Sequence, residues 1–368
     1  MPNSLRPRII RVSINLLILF FLIGGIGISA IYLFLFKSSY NTFIDKQVKV
    51  VAIHRGMSYP QILKELKSEG VIKHIDPMLF LARLMPEAQR IKPGRYYIPG
   101  GLTCSELITF LATRKQDEAK VRIPEGSYGR EIAAIIGTSL DLDSLSFMNA
   151  FQDKELLKRY AVDAPNFEGY FLAETYSLPW ASTAEDVIDF FLKKFREFYS
   201  AELKALAERA GLNELEVITL ASIVEAETDI ISEMPVVASV YLNRLAKGMR
   251  LQADPTVLFA KGGVFRRVLY EDLKFDSPYN TYLYDGLPPG PIGNPSREAI
   301  LAVLKPAKTK FLFFVATGKG GHRFAITPEE HEQNVKLYRT AMRAKQDSLK
   351  AIKREEQRLL SLERQSKR

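Results

Sequence analysis

The stretch NELEVITLASIVEAE, residues 213–227, decides the fold of the C-terminal half of the chain. Its first residue, Asn213, is followed three residues later by a glutamate, a capping-box signature that predicts the start of a helix. Ile218, Ala221 and Glu225 are spaced at i, i+3 and i+7, so they share one stripe of that helix. The carboxyl group of Glu225 is therefore expected to point toward a core or a cleft.

Glu225 is the candidate for chemistry in this helix. A carboxyl group in a partly apolar cleft has its charged form disfavoured and its pKa raised, which suits a general acid. The alternative interpretation of Glu225 is a structural ion pair. Glu227, two residues further on, is expected to face another side, as a helix-end or solvent group.

The chain on both sides of this helix predicts a mixed α+β fold. Gly211 ends a preceding helix, a second helix runs to Gly248, and FLFFVAT and HRFAIT flank GKGG as a β-hairpin. In the N-terminal half, VAIHRGMSYPQILKEL from Val51 and VRIPEGSYGREIAAII from Val121 resemble each other. Each predicts a strand, a glycine turn and an amphipathic helix, and the first continues into a β-α-α-β module.

An apolar run precedes these modules. No charged residue occurs among the 24 residues from Ser13 to Phe36, which would span roughly 36 Å as a helix and cross a ~30 Å hydrocarbon core. A cleaved signal peptide is the alternative, but its apolar region would be about 7–15 residues long. Arg6, Arg8 and Arg11 precede the run, so the positive-inside rule predicts a single-pass inner (cytoplasmic) membrane protein with its N-terminus in the cytoplasm.

Composition and charge exclude several classes of protein. With 368 residues, 47% hydrophobic and 25% charged, the chain is not of a disordered type. The net charge of +9 belongs to the two ends, because residues 38–338 carry a net charge of −1. Nucleic-acid binding is therefore not expected. The single Cys104 and four histidines argue against a disulfide framework and a zinc site, so no metal and no cofactor is predicted. The basic tail predicts an exposed helix or a solvated terminus.

Seven motifs, taken in order, resemble the endolytic murein transglycosylase (MltG, YceG-like) family. They are NFEGYFLAETY at 166–176, ASIVEAET at 221–228, VASVYLNRL at 237–245, GMRLQADPTV at 248–257, YNTY at 279–282, GLPPGPIGNP at 286–295 and FFVATGKGGHRF at 313–324. The resemblance implies a LysM-like module after the membrane helix and a catalytic domain that cuts peptidoglycan glycan strands. It also implies that the catalytic glutamate is Glu225, the first acid of the second motif. The chain departs from the family's Pro-Asp-Thr-Tyr at Ala173–Tyr176, which leaves the role of Glu174 open.

The expected organisation follows from these motifs. The predicted segments are a cytoplasmic N-terminus at 1–12, the transmembrane helix at 13–36, the LysM-like module and linker at 37–118, a second βα unit at 119–200, the catalytic domain at 201–340 and a basic helical tail at 341–368. The expected partners are peptidoglycan glycan strands, the cell membrane and peptidoglycan synthases, since cleavage beside the membrane would terminate the elongation of nascent strands.

A lytic transglycosylase needs only one carboxylate. Protonated Glu225 would donate to the oxygen that bridges N-acetylmuramic acid and N-acetylglucosamine, and would then take the proton of the muramic C6 hydroxyl as a 1,6-anhydro ring closes. The polar and aromatic candidates for substrate binding are Glu174, Asn243, Gln252, Asp254, Tyr279 and Asn280. Asp254 is equally open to interpretation as a helix cap, and the tyrosines as core residues.

Two other functions stay open at this point. A muramidase that uses water would need a second carboxylate, for which Glu174, Glu168 and Asp254 are candidates. A non-catalytic peptidoglycan-binding scaffold would be built on the LysM-like module alone.

Overall fold

The computed structural model of this chain describes residues 6–37, 42–44, 47–263 and 266–366. Two compact units are present: unit 1 comprises Met1–Ala119, Ser139–Asp141 and Ser177–Ser182, and unit 2 comprises Lys120–Thr138, Leu142–Tyr176 and Thr183–Arg368. The predicted segments at 1–12, 37–118 and 341–368 lie partly outside the described residues. The architecture is mixed α+β, as predicted.

Unit 1 begins with the long helix α1, Arg6–Phe36. Its stretch Ile14–Phe36 has a mean hydropathy of 2.5 and is not buried against the protein, so its length and composition suit a membrane span. Leu35, near the end of the helix, is different, because it is 5% exposed and belongs to the hydrophobic core of unit 1. The prediction of one apolar N-terminal helix is confirmed.

The rest of unit 1 is a small α/β arrangement. Its elements are β1 Val48–Ile53, α2 Tyr59–Ser68, α3 Asp76–Leu84, a 3₁₀ turn Pro86–Arg90, β2 Gly94–Pro99 and α4 Cys104–Thr113. The strands β1 and β2 pair antiparallel, from Val48 opposite Pro99 to Ile53 opposite Gly94. Alternate residues of β1 and one face of α2 meet in the core, where Val51 and Leu63 are fully buried. The predicted β-α-α-β order is therefore present.

The remaining elements complete the chain. They are β3 Glu118–Arg122, α5 Gly129–Ser139, α6 Ser144–Phe151, α7 Lys154–Arg159, β4 Thr175–Pro179, α8 Ala184–Phe198, α9 Ala201–Ala210, α10 Glu214–Glu227, α11 Met234–Ala246, α12 Asp254–Ala260, a 3₁₀ turn Asp272–Lys274, α13 Arg297–Leu304, β5 Phe313–Ala316, β6 His322–Ala325 and α14 Pro328–Ser366. The strands form two-stranded sheets, β3 with β4 and β5 with β6. A single helix, α14, passes through the predicted boundary between the catalytic domain and the tail.

The helix α10 forms the core of unit 2. It packs against α9, α11, α12 and α13, and every residue from Val217 to Glu225 is buried. The capping box is present as predicted: the Asn213 side chain accepts from the Glu216 N–H at 2.9 Å, and the Glu216 carboxylate accepts from the Asn213 N–H at 2.8 Å. A helix that is apolar on all sides is stable only when other elements surround it.

The predicted β-hairpin is also confirmed. The strands β5 and β6 pair antiparallel, from Phe313 opposite Ala325 to Ala316 opposite His322. Its glycine-rich turn satisfies its own backbone, since the Thr317 N–H donates to the Gly321 carbonyl at 2.8 Å. The hairpin packs on α11 and α14, and this position brings it to the end of α10 described next.

Candidate active site

A cavity of about 410 Å³ lies inside unit 2, at the C-terminal end of α10. We name it the Glu227 cavity; its lining residues are Glu227, Tyr241, Arg244, Leu251, Gln252, Asp254, Tyr282, Phe313, Phe314, Val315, Ala316, His322 and His331. The walls thus come from α10, α11, the start of α12, the hairpin and the first turn of α14. Its size is within the ~300–1,000 Å³ range of small-ligand sites.

The carboxyl group of Glu227 is the acid of this cavity. Its Oε1 accepts a hydrogen bond from the Tyr241 hydroxyl at 2.6 Å. Burial raises the pKa of Glu227 to about 7, and the nearby Asp254 charge raises the pKa further, while Tyr241 and Arg244 act in the opposite direction. A substantial fraction of Glu227 is therefore protonated at neutral pH. Glu227 is the last residue of α10, which agrees with the helix-end alternative of the prediction. The residue is half-buried, and its carboxyl group bonds to Tyr241 of α11 and is not free in solvent.

Asp254 and Gln252, two of the predicted binding residues, line the same cavity. Asp254 is the first residue of α12, with Ala253 at the N-cap position, and its Oδ1 accepts from the Tyr282 hydroxyl at 2.6 Å. Gln252 has a left-handed backbone with φ of 50°, which is uncommon for a residue with a side chain. The structure therefore brings both residues beside Glu227.

Arg244 fixes one wall of the cavity. Its Nε donates to the Leu312 carbonyl and its Nη1 to the Leu251 carbonyl, both at 2.6 Å. Its guanidinium carbon also lies 5.3 Å from the centre of the Phe313 ring. The side chain thereby ties α11 to the loop before α12 and to the hairpin, so these lining segments are held in place.

Glu225 faces a different part of unit 2. It is 8% exposed, and its Oε2 accepts from the Ser296 N–H at 2.8 Å and from the Ser296 hydroxyl at 2.5 Å. Burial raises the pKa of Glu225, and the two hydrogen bonds from Ser296 partly offset this rise. Because Ser296 is the N-cap of α13, this carboxyl group joins α10 to α13. Glu225 is not among the residues that line the Glu227 cavity; its catalytic role stays a prediction.

Two further predicted residues have protein partners. Glu174 forms an ion pair with Arg297 of α13, and both side chains are partly exposed. The side-chain amide of Asn243 donates to the carbonyls of Thr309 and Phe311 at 3.1 and 3.0 Å. Neither residue lines the Glu227 cavity, and their predicted contribution to substrate binding stays a prediction.

Asn280 and Tyr279 lie in the segment before Tyr282. Asn280 is completely buried, and its side-chain amide donates to the carbonyls of Leu273 and Phe275 at 3.0 and 2.8 Å. The ring of Tyr279 lies 5.0 Å from the ring of Phe259 on α12. These contacts shape the loop around Asp254, while the predicted binding role of both residues stays untested.

Comparison with known proteins gives the family. The sequence model of the YceG-like family matches residues 51–337, more than three quarters of the chain. The chain belongs to the YceG-like family. The resemblance deduced from the seven motifs is thereby confirmed.

Named relatives support this assignment. The endolytic murein transglycosylase of Bacillus subtilis (strain 168) is 31% identical over 327 residues, which cover 83% of this YceG-like chain and 89% of the relative. The endolytic murein transglycosylase of Streptococcus pneumoniae (strain D39) is 29% identical, over 79% of this chain and 58% of the longer relative. A crystal structure of a yceG-like protein from Listeria monocytogenes aligns with a TM-score of 0.54 at 30% identity, over 78% of this chain and 99% of the other.

Apart from Gln252 and Asp254, the residues of the YceG-like cavity were not identified from the sequence, and Glu227, Tyr241 and His331 are among them. Glu227 and Tyr241 lie in two of the recognised motifs, 14 residues apart, and His331 lies beyond the last motif. The signal for Glu227 was its place at a helix end, followed by a threonine and an aspartate. A residue at a helix end can face either a cavity or solvent, and the choice for Glu227 depends on the packing of α11, which the sequence does not show.

Proposed function

We propose that this YceG-like protein is an endolytic lytic transglycosylase. It cuts the β-1,4 bond between N-acetylmuramic acid and N-acetylglucosamine in peptidoglycan strands and leaves 1,6-anhydro ends. The family and the names of its relatives support the activity. The observation that supports the site is the Glu227 carboxyl group, which lines a cavity of ligand size and has a pKa of about 7.

Glu227 then supplies both proton transfers. In its protonated form it donates to the bridging oxygen, the bond from muramic C1 to this oxygen breaks, and an oxocarbenium-like state develops. The resulting carboxylate takes the proton of the C6 hydroxyl, whose oxygen bonds to C1 and closes the anhydro ring. No water is consumed, and Glu227 ends protonated as it began. The Tyr241 hydroxyl, which donates to Oε1, orients the carboxyl group through both steps.

The experiment compares Glu227→Gln with Glu225→Gln on uncross-linked glycan strands, with mass spectrometry of the new ends. We expect Glu227→Gln to lose activity at least 100-fold while the melting temperature is kept or raised. We expect Glu225→Gln to lower the melting temperature, because it weakens the contact with Ser296, while most of the activity is kept.

The reverse result would assign the acid to Glu225, as the sequence predicts. Unchanged cleavage by both variants would assign the acid to another residue, whereas a wild-type protein that binds glycan without cutting it would favour the non-catalytic scaffold. Wild-type protein and each variant are assayed at equal folded concentration, so that loss of folding is not mistaken for loss of chemistry.

A water-using muramidase is the second candidate, and one observation favours it. Asp254 lines the same cavity as Glu227, so two carboxylates are present there. The other two candidates are engaged elsewhere: Glu168 accepts from the Gly129 N–H and the Asn294 side chain, and Glu174 pairs with Arg297. Reducing muramic acid ends, with oxygen taken from labelled water, would establish the muramidase, whereas anhydro ends would eliminate it.

The membrane arrangement is part of the same proposal. We propose that the apolar helix anchors the protein in the cytoplasmic membrane with its N-terminus inside, that residues 37–118 form a LysM-like peptidoglycan-binding module, and that 201–340 carry catalysis with 119–200 beside them. The hydropathy of Ile14–Phe36 and the β-α-α-β order support this arrangement. Synthases that polymerise glycan at the membrane are then the expected partners. Protease accessibility in spheroplasts tests the orientation, since unit 2 is expected to be digested from outside.

A further inference from the structure

We propose that His331, in the first turn of α14, binds the glycan in the Glu227 cavity, through a hydrogen bond between its imidazole Nδ1 and an N-acetylhexosamine residue. This inference rests on the proposed function and deepens it. It assigns a sugar-binding role to a residue outside the seven motifs. The argument uses the hydrogen bonds, the ring contacts and the charge state of this side chain.

The first observation is a buried nitrogen without a partner. The Nδ1 atom of His331 is inaccessible to solvent, and no group in the described part of the chain forms a hydrogen bond with it. The residue nevertheless lines the cavity. A buried polar atom is normally paired, and leaving it unpaired is costly. A molecule that occupies the cavity is therefore the natural partner for this atom.

The second observation is that the ring is positioned by stacking. The imidazole lies 5.3 Å from the Phe313 ring with an interplanar angle of 25°, and the guanidinium of Arg244 also contacts Phe313. The backbone N–H of His331 donates to the Thr327 carbonyl at 3.1 Å, and this bond holds the His331 backbone in the first turn of α14. Stacking thus orients the ring without a hydrogen bond to Nδ1, so this nitrogen is left to bind a ligand.

The third observation concerns the charge of the ligand. Burial and the neighbouring Arg244 lower the pKa of His331, so the ring is neutral at neutral pH and has one donor and one acceptor nitrogen. The Asp254 carboxylate and the Arg244 guanidinium line the same cavity beside the partly protonated Glu227, so the cavity carries no strong excess of one charge. A neutral molecule with hydroxyl and amide groups and an apolar face fits this combination. An N-acetylhexosamine has these properties.

Two substitutions distinguish the contribution of the Nδ1 hydrogen bond from that of ring stacking. His331→Phe keeps an aromatic ring against Phe313 and removes the nitrogen, whereas His331→Asn places an amide near the position of Nδ1. We expect His331→Phe to raise KM for glycan strands about tenfold with kcat within about twofold, and His331→Asn to recover most of this loss. Glu332→Ala, at the next and solvent-exposed residue of the same helix, is the matched control and is expected to leave KM unchanged.

A direct measurement needs no turnover. In Glu227→Gln protein labelled with ¹⁵N-histidine, uncross-linked glycan strands are titrated while the imidazole nitrogen signals are followed. A shift of the His331 Nδ1 signal of several parts per million supports the hydrogen bond. If the signal stays unchanged at saturation, the glycan forms no hydrogen bond with His331 Nδ1 and the inference is overturned. This measurement also decides the question if His331→Phe fails to fold.

The two proposals fail in distinguishable ways. If wild-type protein cleaves glycan and His331→Phe binds and cleaves equally well, the inference about His331 is overturned and the proposed function stands. If wild-type protein neither cleaves nor binds glycan, the proposed function is overturned, and the inference with it.

Discussion

Glu225 and Glu227 are two residues apart on α10, and an α-helix turns about 200° over two residues. The two carboxyl groups therefore reach different surroundings: one meets Ser296 at the start of α13, and the other meets Tyr241 on α11. Burial raises the pKa of both. The Glu227 carboxyl group borders a cavity of ligand size, whereas the Glu225 carboxyl group links α10 to the start of α13.

The pKa of Glu227 predicts how activity depends on pH. If the protonated form is the active one, kcat/KM falls as the pH rises through about 7. Tyr241→Phe removes a hydrogen bond that stabilises the charged carboxylate, so the pKa of Glu227 rises. The fall in kcat/KM, which is the alkaline limb of the pH–rate profile, then moves to higher pH. Asp254→Asn removes a nearby negative charge, so the limb moves to lower pH. A pH–rate profile of the three proteins checks this, and a limb at the same pH in all three would contradict it.

The same raised pKa predicts how stability depends on pH. A carboxyl group whose pKa is higher in the folded state than the ordinary 4.5 favours folding below that value, and this contribution is lost as the pH rises through about 7. Glu227→Gln removes the cost of burying the charge. The free energy of unfolding of the variant, relative to that of wild type, is therefore expected to be higher at pH 8 than at pH 5. Urea unfolding at both pH values measures it. Equal differences at the two pH values would contradict this.

Among the elements, the packing of α10 requires that neighbouring loops approach the helix closely. Gly169 lies against this helix with φ of +85°, and a Cβ added there would meet Ile218 and Pro291 side-chain atoms at 2.6 Å. The Gly169 N–H also donates to the buried Asn294 side chain at 3.0 Å, which links the loop to the segment before α13. The packing around the helix therefore has no room for a methyl group.

A matched pair of glycines tests this packing. Gly211, the C-cap of α9, has a similar φ of +70°, but no atom lies within 4 Å of an added Cβ. Gly211→Ala is expected to cost about 1–2 kcal/mol, from the backbone conformation alone. Gly169→Ala is expected to cost about 2–5 kcal/mol, since overpacking adds to the same conformational cost. Urea unfolding of both variants measures the difference, and equal costs would show that the loop adjusts freely.

Across the whole molecule, net charge and hydrophobic residues are concentrated in particular segments of the chain. The net charge of +9 arises at the two ends of the chain, and residues 38–338 are nearly neutral. The apolar helix contributes to the hydrophobic fraction without being buried in the protein, except for Leu35 and the partly buried Phe36, which pack in the core of unit 1. The composition of the full chain therefore reflects a membrane segment and a terminal helix as well as the folded units.

Two truncations test the double role of this helix. Removal of residues 1–34 or 1–36 is expected to release the protein from membranes without detergent. The longer truncation also removes Leu35, which is 5% exposed, so it should be less stable by about 2 kcal/mol. Membrane fractionation and urea unfolding measure the two effects. N-terminal sequencing of the full protein from cells is the control, because a cleaved signal peptide would remove the anchor in the natural protein.

Most elements and the family could be predicted from the amino-acid sequence. The helix start at Asn213, the end at Gly211, the hairpin around GKGG and the apolar N-terminal helix depend on contacts among residues a few positions apart. Such contacts are visible as spacing and residue type. The seven motifs were specific because their order and separation reflect one common fold.

The set of side chains that share the cavity could not be predicted from the sequence and depends on how distant segments pack. Glu227 meets Tyr241 because α10 packs on α11, Asp254 meets Tyr282 across 28 residues, and His331 arrives from a separate helix. Helical periodicity correctly indicated that Glu225 is buried, but it did not show what covers each face. The reason is physical: a local pattern fixes the direction of a side chain relative to its own helix, while its surroundings, and hence its pKa and access to substrate, depend on distant segments.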